Sequence, residues 1–199
     1  MPSDHLNLLE NSPEEQGREE NCFPASFAQE RIWFLQKLDP GSPVYNIAGA
    51  VRLNGDLDQE ALKSALKEIV RRHEILRTSF VEINGQPFQK VHHQVRLQFA
   101  TKDLLETSNG IAAGKSIQSE LQEEARRGFI LSEPGLLRAR LLQIAEREHL
   151  LVVVMHHIIA DGWTIGILAG ELKELYEAYR EGRPSPLPEL EIQYLDYAA

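Results

Sequence analysis

The sequence predicts an α/β (α+β) two-layer sandwich, with a mixed, largely antiparallel sheet covered by helices. Three observations predict it. Two segments, 58–73 and 163–180, carry apolar residues at helical spacing. Strand-like runs come in neighbouring pairs, 76–83 with 86–92 and 136–145 with 149–156, each joined by a short polar turn. Such pairs make antiparallel hairpins, not the crossover units of a parallel sheet. Finally, no Gly-rich phosphate loop is present. Gly110 and Gly114 are isolated, and Gly162-x-x-x-Gly166 is neither a Walker nor a Rossmann pattern.

A chain of 199 residues suffices for one domain with a full core, or for one lobe of something larger. Its apolar runs fall well short of the roughly 20 residues of a membrane span. Residues 1–22 have no signal-peptide core. Cys22 is the single cysteine, which excludes a disulfide framework or a cysteine metal site. These features fit a cytoplasmic protein with no membrane partner. The net charge of −9 argues against a nucleic-acid partner, because phosphates attract Lys and Arg. Much of the acidity sits in residues 1–22, where Asp4, Glu10, Glu14, Glu15, Glu19 and Glu20 face Arg18. That stretch reads as an acidic flexible N-terminal segment or linker.

Order is expected from about Phe23. Ser26-x-x-Gln29 reads as a capping box opening a helix to about Leu38, burying Phe27, Ile32, Phe34 and Leu35. Asp39-Pro40-Gly41 ends it. Residues 44–53 form a strand. Asp58 caps the next helix, whose Ala61, Leu62, Ala65, Leu66, Ile69 and Val70 share one face, and which ends near His73. Asn84-Gly85 turns the first hairpin. A strand within 95–100 and a polar helix at about 113–128 follow. The run 149–156 is apolar nearly throughout, so it belongs at the centre of its sheet. The helix over 163–180 presents Ile165, Leu168, Leu172, Leu175 and Tyr179, and Gly182 ends it. Residues 183–190 are a Pro-rich connector, and 194–199 begin another helix.

The chemistry concentrates at 154–164, "VMHHIIADGWT". A buried strand delivers His156 and His157 to its end, where loops build sites. Asp161-Gly162 then starts a helix. Strand alternation puts the two imidazoles on opposite faces. A metal site needs further convergent ligands, and none has the spacing. The other pair, His92–His93, reads as a surface strand end. Arg72, His73 and Arg77 lie at a helix end, where cations are favourable.

This stretch resembles the His-His-x-x-x-Asp-Gly fingerprint of nonribosomal peptide synthetase condensation domains, relatives of the chloramphenicol acetyltransferase-like acyltransferases. "SFAQERIWFLQKLDPGSPVYNI" (26–47), "RRHEILRTSF" (71–80) and "YLDYAA" (194–199) resemble the family's other segments, in family order. The resemblance covers 23–199. It implies that the chain is the N-terminal lobe of a condensation domain, interrupted one residue before a customary Trp, with the C-terminal lobe absent. It implies amide formation between a donor acyl or peptidyl thioester and the amine of an acceptor aminoacyl thioester. Both ride on phosphopantetheine arms of upstream and downstream peptidyl carrier proteins, beside an adenylation domain, with no metal and no directly bound cofactor.

The implied catalytic set is His157, His156, Asp161 and Gly162, with His157 by its position in the motif the reactive imidazole and His156 structural, turned from the tunnel by strand alternation. An unperturbed imidazole titrates near pKa ~6.5, suited to proton transfer. A free α-amine is already neutral in about a tenth of molecules at pH 7, so His157 is expected mainly to orient the amine and stabilise developing charge. Asp161 shapes the loop, with Arg77 as a candidate partner. Gly162 allows close approach of substrate or a positive φ. Ser26, Gln29 and Arg31 support the fold, and Trp163 and Thr164 face the substrate tunnel. The opening helix and "DGWT" resemble a domain taking an L-configured donor more than an epimerase. Two rival readings are a standalone trimeric acetyltransferase-like enzyme and a non-catalytic lobe that docks carrier proteins. Catalysis by residues 1–199 alone is not expected.

Overall fold

The computed structural model describes residues 21–105 and 111–198. Most of the acidic N-terminal segment lies outside them. In chain order the elements are β1 (Cys22–Pro24), α1 (Phe27–Leu38), β2 (Asn46–Asn54), α2 (Gln59–Arg72), β3 (Thr78–Ile83) and β4 (Gln86–Val91). Then come β5 (Gln98–Asp103), α3 (Ile111–Arg126), β6 (Leu137–Ala145), β7 (Glu148–His156), α4 (Gly162–Arg180) and α5 (Tyr194–Ala198). Pairing therefore begins at Cys22, opposite Lys90, one residue before the expected start.

The strands form two sheets. The smaller has the order β1-β4-β3 and the larger β2-β7-β6-β5. Every pairing is antiparallel except β5 with β6. The β3–β4 turn has positive φ at both Asn84 (52°) and Gly85 (82°), the backbone that matches strand twist in a two-residue hairpin. β7 is central in its sheet, as its apolar run predicts, with β2 on one side and β6 on the other.

Alternation along the strands sorts the two faces of the larger sheet. Ala139, Leu141 and Leu151 meet Leu62 and Leu66 of α2, and α4 packs beside α2, with Leu175 fully buried. The opposite face of β6 carries Arg138 and Arg140, which reach α3. Arg138 Nε donates to Glu124 Oε2 at 3.1 Å and Arg140 Nη1 to Glu120 Oε2 at 2.7 Å. Arg138 also stacks on Phe129 at 3.9 Å, and burial above all pulls its pKa down to about 10. A buried charge needs such pairing, so the ion cluster fixes where α3 sits.

α1 departs from expectation. Its capping box forms as predicted, but Phe27 is 91% and Phe34 57% exposed, and Leu35 also faces outward. Ile32 is half-buried. The residues of α1 that become buried are Gln29 and Gln36. The sequence offers two opposed stripes on one helix, and hydrogen bonding selects the polar one. Ile165 of α4, expected in the buried stripe, is likewise exposed, whereas Leu168 and Leu175 are buried.

Candidate active site

β7 delivers the two histidines to different environments. His156 is fully buried, flanked by the rings of Tyr45 and Phe129 at 6.1 Å each. Its Nδ1 accepts the Ile158 N–H at 3.2 Å, so its other nitrogen, Nε2, carries the proton and donates to Gln36 Oε1 at 3.3 Å. Burial, with a smaller contribution from the charge of His157, pushes its pKa down to about 4. His156 is thus a neutral internal staple for the turn that follows it, as alternation predicts. His157 points the other way and is exposed, while its amide is anchored to the Tyr45 carbonyl at 2.8 Å.

α1 holds the loop from behind. Gln29 Nε2 donates to Gln89 Oε1 at 2.9 Å and to the carbonyl of Ile158 at 3.3 Å, directly after the exposed imidazole. Its Oε1 accepts the Ser26 N–H at 2.9 Å. Ser26 Oγ in turn meets the Tyr194 hydroxyl at 3.0 Å. Three sequence segments far apart in the chain, around 26–29, 156–161 and 194, therefore meet at one place. Arg31 lies on the exposed side of α1 and does not join them.

Asp161 is the N-cap of α4. Its Oδ1 accepts the Thr164 N–H at 2.9 Å and the Thr164 hydroxyl at 2.8 Å, and these bonds hold its carboxyl below the usual range. Arg77 is not its partner among the described residues. The guanidinium donates instead to the carbonyls of His92 at 2.5 Å and Arg71 at 3.2 Å, tying β4 to the end of α2. Gly162 has no positive φ, and a Cβ there would meet open space. Neither local strain nor crowding among the described residues therefore calls for glycine. Trp163 is 85% exposed beside it.

His157 opens onto a pocket of about 500 Å³. The site candidates Asp161 and Thr164 line it, together with Ile32 and Leu168, which the sequence assigned to the buried faces of α1 and α4. His73, singled out in the sequence at a helix end, also lines it, as does Gln193, which sequence reasoning missed. Their spacing carries no signal, because only the fold brings the end of α2 and the approach to α5 to this wall. The expected surface pair is also half wrong: His92 is half-buried and Nε2 meets Ser79 Oγ at 2.8 Å. Among the described residues, no group of three or more acidic, His or Cys side chains is placed to hold a metal ion.

Comparison with known proteins agrees with this geometry. Residues 19–199 match the Condensation domain family. The chain is 43% identical over 176 residues to a component of linear gramicidin synthase from Brevibacillus parabrevis, covering 88% of this chain and 2% of that protein. It is 38% identical over 175 residues to phosphinothricin tripeptide synthetase PhsC of Streptomyces viridochromogenes, covering 88% of this chain and 16% of that protein. The chain thus spans a small part of these synthetases. The starter condensation domain of rhizomide synthetase RzmA superposes with a TM-score of 0.79 at 22% identity, over 89% of this chain and 42% of the other. The X-domain in complex with OxyB from teicoplanin biosynthesis gives 0.76 at 30% identity, over 92% and 38%.

The chain belongs to the condensation-domain family of nonribosomal peptide synthetases, whose members are acyltransferase-type enzymes of peptide-bond formation. The fold is the chloramphenicol acetyltransferase-like one that the sequence led us to expect.

Proposed function

We propose that this chain is the first lobe of an amide-forming condensation domain and that His157 is its reactive imidazole. The observation that carries the reading is the opposite fate of two adjacent histidines. His156 is sealed in and bonded at both nitrogens, while His157 is rigidly mounted and faces a pocket. A second lobe, supplied by the rest of the domain, would close the site. Variants of the rhizomide starter domain have been solved with C8-CoA and Leu-SNAC, an acyl and an aminoacyl thioester, which supports thioester-borne groups as the substrates here.

In this reading, upstream and downstream carrier proteins bring the two thioesters on phosphopantetheine arms, and an adenylation domain adjoins. The acceptor amine attacks the donor carbonyl, a C–N bond forms and the C–S bond breaks. The amine's proton passes by way of His157 to the departing thiolate. His157 also orients the amine and stabilises charge on the tetrahedral intermediate. Asp161 and Thr164 set the loop's exit into α4, and Gln29 sets its middle.

The test is His157→Ala in the intact two-lobed domain with both loaded carriers. Loss of at least about 100-fold in condensation rate is expected, since positioned acid–base groups contribute about 10²–10⁴-fold. The thermal midpoint should stay unchanged, because the side chain is exposed. Near-wild-type condensation would sink the assignment.

A further inference from the structure

The pocket before His157 is also lined by His73, which the chemistry above does not use. His73 directly follows α2, and its amide bonds the Ile69 carbonyl at 3.1 Å. Its Nε2 lies 2.6 Å from Glu171 Oε2 of α4. The other oxygen of Glu171 takes the Arg72 Nε–H at 3.0 Å. A carboxylate only accepts, so in the neutral ring Nε2 carries the proton and Nδ1 keeps a lone pair. All three side chains are largely buried, with exposures of 16% for His73, 13% for Glu171 and 6% for Arg72. The ring is therefore held in one orientation and one tautomer.

The other nitrogens among the pocket's side chains are committed. Gln29 Nε2 serves Gln89 and Ile158, and Gln193 Nε2 donates to the Arg72 carbonyl at 3.0 Å. Gln193 Oε1 accepts the Glu74 N–H at 3.0 Å, and the Tyr194 hydroxyl is bonded to Ser26. Among the described residues this leaves the imidazole of His157 and Nδ1 of His73 as the pocket's uncommitted side-chain nitrogens. His73 is half-buried and lines a largely apolar pocket, where a bound ligand's donor can replace water at Nδ1.

We propose that His73 is a second substrate-binding residue, whose Nδ1 accepts a hydrogen bond from an N–H of a bound thioester while Glu171 holds the ring. This rests on the reading of His157 given above. Two sources offer that N–H: the α-amine of the aminoacyl acceptor, and an amide of the donor or of a phosphopantetheine arm.

Two substitutions separate binding from support. His73→Gln keeps an amide near the position of Nε2 and so keeps the Glu171 bond, but it removes the Nδ1 acceptor. His73→Asn keeps an oxygen near the position of Nδ1 and is too short to reach Glu171. In the intact domain, KM is measured for each loaded carrier with the other saturating. His73→Gln should raise KM about tenfold or more for at least one substrate, as expected for loss of a single hydrogen bond, with the thermal midpoint near wild type. His73→Asn should hold KM within about threefold while lowering the midpoint. An acceptor-only rise assigns the α-amine, a donor-only rise the donor's amide, and a rise for both the shared arm. The opposite pattern, wild-type KM in His73→Gln, would overturn the proposal, and this variant decides the matter if His73→Asn fails to fold. A wild-type His73→Gln beside an inactive His157→Ala defeats this inference alone. An active His157→Ala defeats the catalytic reading and leaves the KM shift as evidence of binding.

Discussion

Helices α1 and α2 have comparable apolar content and opposite fates. α2 turns its apolar stripe inward, so that Leu62, Leu66, Ile69 and Val70 are all buried. α1 shows Phe27 and Phe34 to the outside and hides Gln29 and Gln36, which lie two residues further on and thus about 200° round the helix. Turning α1 over would bury two phenylalanines, a gain of about 3–6 kcal/mol. It would also break the three long-range hydrogen bonds that the two glutamines make, to Gln89, Ile158 and His156. Stranding buried partners costs about 1–3 kcal/mol each, which is comparable or larger. Apolar periodicity therefore fixes the inward face only where the opposite face has no fixed partners.

The comparison can be broken most strongly in α2. Leu66→Ala removes a 4% exposed side chain between α2 and the sheet and should cost about 2–5 kcal/mol in a urea titration. A loss below about 1 kcal/mol would mean that the helix is not seated as described.

Acid attacks the α1 side through the histidine that Gln36 holds. The pKa of His156 is about 4 in the folded chain, against 6.5 for an exposed ring. As pH falls, the unfolded chain takes up the proton first. The contribution is complete above pH 6.5 and is lost progressively between about 6.5 and about 4, on the order of 3 kcal/mol. Unfolding midpoints measured across that window should fall, and His156→Leu should flatten the fall. An equal slope in both proteins would dissociate it from His156.

Gln29→Ala tests the strut itself. It leaves Gln89 and the Ile158 carbonyl without their partner and should cost about 1–3 kcal/mol. In the intact domain it should also lower the condensation rate, since it releases the residue next to His157; an unchanged rate would remove Gln29 from the support of the loop. The smallest effect belongs to Phe34→Ala, within about 0.5 kcal/mol for the chain by itself, as for surface positions generally. A loss of the size expected for Leu66→Ala would show that Phe34 is covered.

Much of the architecture was legible in local signals. Asn84-Gly85 placed the hairpin because few residue pairs accept two positive φ values, and Asp58 and Asp161 placed helix starts because orphan amides need an acceptor. The apolar run of β7 placed the central strand. The site was legible to the extent that alternation along β7 separates His156 from His157. Arg77 was legible only in its local ion pair with Glu74, since its hydrogen-bond acceptors are the backbone carbonyls of His92 and Arg71, which no side-chain pattern announces.

By itself, then, the sequence determined the order and type of the elements, the family, and that two neighbouring histidines face opposite ways. The elements and the histidines follow from interactions within a few residues or along one strand, and the family from short motifs in a fixed order. Only the tertiary structure decided which face of α1 is inside, that Gln29 braces the loop at Ile158, and that His73, held by Glu171, lines the same pocket as His157. Those outcomes turn on hydrogen bonds between residues about a hundred positions apart, and periodicity along a single element carries no information about such partners.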